Sequence, residues 1–93
     1  MAGKVIIIMG SGNDLPFVDA IGGALKNLGI DFERRVASAH KTPKKLLKIL
    51  EESENQSSIV YITVAGLSNA LSGFVDANTI HPVRACPSIA QGF

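Results

Sequence analysis

Val5-Ile6-Ile7-Ile8-Met9-Gly10-Ser11-Gly12-Asn13-Asp14 is the stretch whose reading decides the fold. Val5–Met9 is a continuous apolar run with no polar alternation, which predicts a strand buried on both faces of a parallel sheet. Gly10, Ser11 and Gly12 then allow a tight turn whose backbone can approach a ligand closely. Asp14 predicts an N-cap for a helix starting near Leu15, with Pro16 tolerated in the first turn. A buried strand, a small-residue loop and a helix N-terminus together make an anion site, where amides and the positive end of the helix dipole face a phosphate. A plain turn would carry the same composition, so this loop gains meaning only beside others.

Outward from that stretch, the chain alternates strand and helix. Val18, Ile21, Leu25 and Leu28 fall on one face of a first helix, over residues 15–28, and Gly29 supplies its stop. Gly22 and Gly23 inside it each cost roughly 1 kcal/mol relative to alanine, a cost that close helix–sheet packing would justify. Ile30–Ala37 reads as a strand with charges intruding, hence nearer an edge. Thr42-Pro43 opens a second helix by N-cap and N1 chemistry, running to Glu52 with Leu46, Leu47, Ile49 and Leu50 inward. After a polar connection, Ile59–Val64 is a second strongly apolar strand. Ala70–Asp76 makes a short helix, and Pro82–Cys86 a last strand stopped by Pro87. This β-α-β-α-β-α-β order predicts an α/β fold with an open parallel sheet and right-handed crossovers.

The 93 residues suit one domain, and 46% hydrophobic content is enough for a core. A formal net charge of +1 gives no general pull toward nucleic acid or membrane. The leading apolar run is too short for a signal peptide or a membrane span. The single cysteine, Cys86, has no internal disulfide partner, so a reducing cytosol is the expected compartment. Asn55-Gln56-Ser57 fits the glycosylation triplet, and without a secretory signal it reads as chance.

In an open parallel sheet, ligands bind at the carboxyl ends of the strands. The loops after Met9, Ala37 and Val64 all lie there. The first lacks the third glycine of a dinucleotide fingerprint and the Gly-Lys-Ser/Thr of a phosphate loop. Ser11 and Asn13 can bond an anion, while Asp14 can either cap the helix or accept from sugar hydroxyls. The second, Ser38-Ala39-His40-Lys41, carries a histidine between a strand end and a helix start. An imidazole of ordinary pKa near ~6.5 exchanges protons at neutral pH. Lys41 suits a phosphate as a point charge, whereas Lys44, Lys45 and Lys48 read as a solvated helix face. The third loop, Ala65-Gly66-Leu67-Ser68-Asn69-Ala70, offers exposed amides, a hydroxyl and an amide side chain but no acid or base, which suits binding better than proton transfer. His81 reads as structural and Cys86 as a small buried apolar group. No cluster has metal-ligand spacing.

Taken together, GSGND, SAHKTP and AGLSNALSGFVD resemble the phosphoribosylaminoimidazole carboxylase / carboxyaminoimidazole ribonucleotide mutase family of purine biosynthesis. The resemblance runs from Val5 to Pro87. It implies a three-layer, flavodoxin-like α-β-α fold and a cytoplasmic homo-oligomer, usually an octamer with active sites between subunits. It implies a reaction that places a carboxylate on C4 of the imidazole of aminoimidazole ribonucleotide. One branch rearranges an N-carboxylated substrate and carries a histidine in the third loop. The other uses carbon dioxide directly, and Ser68–Gly73 and Ser38–Lys41 match that branch better. Carried over residue by residue, Ser11, Asp14 and Lys41 hold the ribose-phosphate with Asn13 and Ser38 nearby, and His40 handles the C4 proton. Gly66, Ser68, Asn69 and Ser72 line the base and carbon dioxide end. An aminoimidazole is an enamine-like nucleophile, so this carboxylation calls for no cofactor.

Asn13 departs from the family's usual serine, and Leu67 from the usual arginine of the carbon dioxide branch. The family's domain also continues past Pro87, so the chain is expected to be a partial domain with an exposed sheet edge after Val83–Cys86. The alternative is a non-catalytic ribonucleotide- or phosphate-binding module. A flavodoxin or response regulator is disfavoured: no Thr-rich flavin phosphate loop follows the first strand, and no Asp ends the Ile59–Val64 strand.

Overall fold

The computed structural model describes residues 3–65 and 70–87. In chain order these form β1 (Lys4–Met9), a 3-10 turn (Gly12–Asp14), α1 (Leu15–Asn27), β2 (Asp31–Val36), α2 (Pro43–Ser53), β3 (Ile59–Ala65), α3 (Ala70–Ala77) and β4 (Val83–Pro87). The four strands make one sheet in the order β2-β1-β3-β4, and every pairing is parallel. β1 is central: Ile7 stands opposite Arg34 of β2 on one side and Ile62 of β3 on the other. Val5–Met9 is buried throughout, as an apolar run in a doubly covered strand should be.

Two apolar clusters flank the sheet, and side-chain alternation along β1 divides them. Ile6 and Ile8 face Leu46, Ile49 and Leu50 of α2 and Leu71 and Val75 of α3, with Ile59 and Tyr61 of β3. Val5, Ile7 and Met9 face α1 through Val18, with Phe17, Ile21 and Leu25 packed alongside. Right-handed crossovers dictate this division: the connection from β1 to β2 runs one way, and the next two run the other way. At roughly 1.5–3 kcal/mol per buried aliphatic side chain, these two clusters supply the main driving force for the sheet.

Local details depart from the sequence reading in four places. Leu28 is 73% exposed rather than part of the α1 face, because it caps the helix. The chain turns away there: Gly29 adopts a left-handed φ of 73°, Gly29 N–H donates to the Lys26 carbonyl, and Ile30 N–H reaches back to Leu25. Leu47 is exposed, since the turn that buries Leu46 and Leu50 rotates Leu47 outward. Pro87 closes β4 opposite Ala65 rather than stopping it one residue earlier, which an edge strand permits. Cys86 is only half-buried, beside the α1-side cluster. β4 pairs with β3 alone among the described residues, which leaves its outer edge open there.

Strands and helices are also tied together by polar contacts. Lys4 and Arg35 both pair with Glu33, at 2.6 and 3.2 Å, and Arg35 reaches Glu52 at 3.0 Å. Asp19 of α1 pairs with Arg34 of β2. The Lys4 ammonium beside it, more than any other neighbour, holds the Glu33 carboxyl below its ordinary value. His81 is structural: its Nε2 lies 3.2 Å from the Ser53 and Glu54 carbonyls, and its ring packs at 6.2 Å from Tyr61. The Tyr61 hydroxyl is buried and makes no hydrogen bond of ordinary geometry among the described residues; burial pushes its pKa up, against the opposing pull of the nearby Ser53 and Thr79 side chains.

The glycine pair in α1 separates into two cases. A Cβ on Gly22 would sit 2.8 Å from Phe32 Cε2, whereas one on Gly23 meets nothing within 4 Å. Gly23→Ala should therefore gain up to about 1 kcal/mol of helix propensity. Gly22→Ala should forfeit that gain by driving the Phe32 ring out of its cluster. Urea unfolding should rank Gly23→Ala above Gly22→Ala by at least about 1 kcal/mol, and the reverse order would refute the close approach. Tyr61→Phe removes a buried hydroxyl that makes no bond of ordinary geometry among the described residues, and should stabilise the chain by up to about 1 kcal/mol. A loss on the same denaturation curve would mean that the hydroxyl is bonded.

Candidate functional site

Strand order reverses its sense between β1 and β3, because the chain leaves β1 toward β2 and returns across it to β3. Such a switch point opens a crevice at the carboxyl ends of the two strands. A cleft of about 220 Å³ lies there, lined by Gly10, Ser11, Asp14, Ser38, Ala39, His40, Ala65, Ala70 and Leu71. Its walls come from three separate parts of the chain. Backbone bonds hold them together at the strand ends, with Ala37 N–H donating to the Met9 carbonyl and Gly10 N–H to the Val64 carbonyl, both at 3.0 Å.

The first wall is the turn after β1. Ser11, in extended conformation, caps the 3-10 turn: its Oγ accepts from Asn13 N–H at 3.1 Å, and its carbonyl accepts from Asp14 N–H at 3.1 Å. The cap expected of Asp14 is thus made one turn earlier by Ser11, and the Asp14 carboxylate makes no capping bond to α1. Asp14 is buried at the cleft wall, while Asn13 is exposed and outside the lining. Two amides that the sequence offered to an anion are spent within the turn. The Ser11 hydroxyl keeps its own proton to give, since Oγ is the acceptor toward Asn13.

The second wall is the loop between β2 and α2. Ser38 Oγ accepts from the N–H groups of His40 and Lys41 at 3.2 and 3.1 Å, so this hydroxyl too has its proton left to donate. His40 is exposed at the mouth of the cleft. Lys41 is exposed and does not line it, although it follows His40 directly. The third wall is Ala65 at the end of β3 with Ala70 and Leu71 at the start of α3. Gly66, Ser68 and Asn69, with Leu67, lie outside the described residues. Ser72 does not join the cleft; it borders a separate surface groove with Gly73, Asp76, Val83 and Ala85.

Of the candidate site residues, then, Ser11, Asp14, Ser38 and His40 converge. The sequence places Ala39, Ala65 and Ala70 in the second and third loops without giving them a part in the site; their position at strand and helix ends was the available signal. Among the described residues, no group of three or more His, Cys, Asp or Glu side chains is placed to hold a metal. No described helix is long and apolar enough to cross a membrane.

Comparison with known proteins places this geometry. The family model described as AIR carboxylase matches residues 4–92. The chain belongs to the AIR carboxylase family. Its match extends past Pro87, where the motifs stop. A phosphoribosylaminoimidazole carboxylase of Archaeoglobus fulgidus is 53% identical over 90 residues, covering 97% of this chain and 49% of that protein. An N5-carboxyaminoimidazole ribonucleotide mutase of Methanocaldococcus jannaschii is 42% identical over 87 residues, covering 94% and 54%. The crystal structure of Treponema denticola PurE superposes with a TM-score of 0.92 at 42% identity, covering 98% of this chain and 58% of that one. The flavodoxin-like arrangement is thus that of the AIR carboxylase family. The chain spans about half the length of the single-function carboxylases and the mutase it matches.

Proposed function

We propose that this chain carries the substrate loops of a domain that carboxylates aminoimidazole ribonucleotide at C4 of the imidazole, using carbon dioxide, in purine biosynthesis. The observation that carries the reading is the convergence of Ser11, Asp14, Ser38 and His40 on one cleft at the strand-order switch point. Family membership supplies the class of substrate.

Each side chain has a chemical role in that reading. Ser11 and Ser38 each accept backbone N–H groups through Oγ, which orients their hydroxyl protons as donors for a phosphate. Lys41 adds a charge at the cleft's rim. Asp14, buried at the cleft wall, accepts from the ribose hydroxyls. C4 of the aminoimidazole attacks carbon dioxide, forming the new C–C bond, and the ring proton displaced from C4 passes to a His40 ring nitrogen. Holding carbon dioxide beside C4 supplies several kcal/mol through proximity, and a positioned base contributes roughly 10²–10⁴-fold. The Ser68–Gly73 sequence favours direct use of carbon dioxide over rearrangement of an N-carboxylated substrate. Gly66, Ser68, Asn69 and Ser72 remain proposed for the base end, with Asn13 beside the phosphate. The family resemblance further supports a cytoplasmic homo-oligomer.

His40→Asn should abolish turnover, assayed with aminoimidazole ribonucleotide and bicarbonate, while calorimetric affinity for the ribonucleotide stays within about threefold. Undiminished turnover would remove His40 from the chemistry. Ribonucleotide binding without any turnover in the parent chain would favour a binding module instead. Lys41→Ala should weaken nucleotide binding about tenfold, the scale of one charge-assisted hydrogen bond, and leave nucleoside binding unchanged. Equal affinity of the parent chain for nucleoside and nucleotide would rule the phosphate role out.

A further inference from the structure

The loop that presents His40 is closed by a clasp between Ser38 and Thr42. Ser38 N–H donates to Thr42 Oγ1 at 2.8 Å, and Thr42 N–H donates back to the Ser38 carbonyl at 3.0 Å. The Thr42 hydroxyl points its proton at the same carbonyl, at 3.4 Å. Within the clasp, the N–H groups of His40 and Lys41 converge on Ser38 Oγ. Thr42 precedes α2 as its N-cap residue, yet its side chain makes no capping bond to that helix. A threonine at such a position ordinarily stabilises its helix by about 1 kcal/mol through that bond. Here the hydroxyl is turned away from the helix and spent on the loop. Thr42 also does not line the cleft, so it has no contact there to account for this orientation.

We propose that Thr42 is a positioning residue for His40, acting through Ser38. This inference rests on the reading of His40 as the proton acceptor. Thr42 Oγ1 fixes the plane of the peptide that carries Ser38 N–H. That plane sets the direction of the Ser38 side chain, whose Oγ gathers the next two amides and so orients the His40 backbone. Without the Thr42 hydroxyl, Ser38 N–H turns to water, because the loop is solvent-exposed. The helix, which draws no cap from this side chain, keeps its own bonds. The loss therefore appears as disorder of the histidine rather than as unfolding.

The size of the effect follows from how proton transfer depends on placement. A misplacement of about 1 Å can cost roughly 10²-fold in rate. A loosened loop is misplaced for part of the time, so about a tenfold fall in kcat is expected, with KM within about twofold.

The test compares the full chain with its Thr42→Val and Thr42→Ser variants. Valine keeps the shape and removes the hydroxyl, whereas serine restores it. Amide resonances of His40 and Lys41 in ¹⁵N-labelled protein report the loop directly, and turnover of aminoimidazole ribonucleotide with bicarbonate reports its consequence. Both amides should shift in Thr42→Val with the tenfold loss in kcat, and Thr42→Ser should return both readouts toward the parent. Unmoved amides, an unchanged kcat, or a serine variant that behaves like valine would overturn the proposal. A parent chain with no turnover would overturn the carboxylation reading instead, and the His40 and Lys41 resonances of the two variants would then decide the clasp alone.

Discussion

Every feature of the cleft depends on the burial of β1 between two parallel neighbours and two helical layers. Val5–Met9 contributes side chains to both apolar clusters, so the strand cannot slide or turn without exposing one of them. Its register with β2 and β3 brings Met9, Val36 and Val64 level, and the three loops therefore leave the sheet at the same height. Convergence of the loops is thus a result of core packing. No direct contact among Ser11, Ser38 and Ala65 is needed to bring it about.

Upon that platform, the loops use small residues for space and hydroxyls for order. Gly10, Ala39, Ala65 and Ala70 keep side-chain bulk out of the crevice. Ser11 and Ser38 play matching parts in separate loops, each accepting nearby backbone N–H groups through Oγ. This solves two problems with one atom. The lone pairs satisfy amides that the turn leaves open, and the hydroxyl proton remains to be donated. A carboxylate in the same place could satisfy the amides but would have no proton to give to a phosphate.

The sheet was legible in the sequence because its strands are apolar runs bounded by small or polar residues, and such runs have few alternatives in a chain of this length. Helix faces were legible to within one position: Leu46, Ile49 and Leu50 turn inward, while Leu47 and Leu28, equally apolar, lie outside. Composition cannot separate them, since the difference lies in where each helix meets the sheet. The caps were harder to read for a more specific reason. Asp14 and Thr42 have the residue types of N-caps and occupy N-cap positions, yet Ser11 makes the turn at the first site and Thr42 bonds backward at the second. A short polar side chain can bond toward either end of a turn, and neighbouring geometry decides between them. The alanines of the cleft were present as a signal, at strand ends, but a residue that matters for what it leaves empty has no chemical signature of its own.

The size of the cleft bears on how the site works. Pockets that enclose a drug-sized ligand generally run from about 300 to 1,000 Å³, and the described walls here surround about 220 Å³. Under the proposed function such walls would grip one end of a ribonucleotide and leave the rest to surfaces beyond them. On the proposed reading this division has a counterpart in the walls: Asp14 is buried at the β1 turn, while His40 stands exposed at the mouth. A substrate anchored by its sugar-phosphate end would then carry its reactive ring toward His40. Binding energy collected at the anchored end would hold C4 in place for a proton transfer at the other, which is how contacts remote from the reacting atoms contribute to rate.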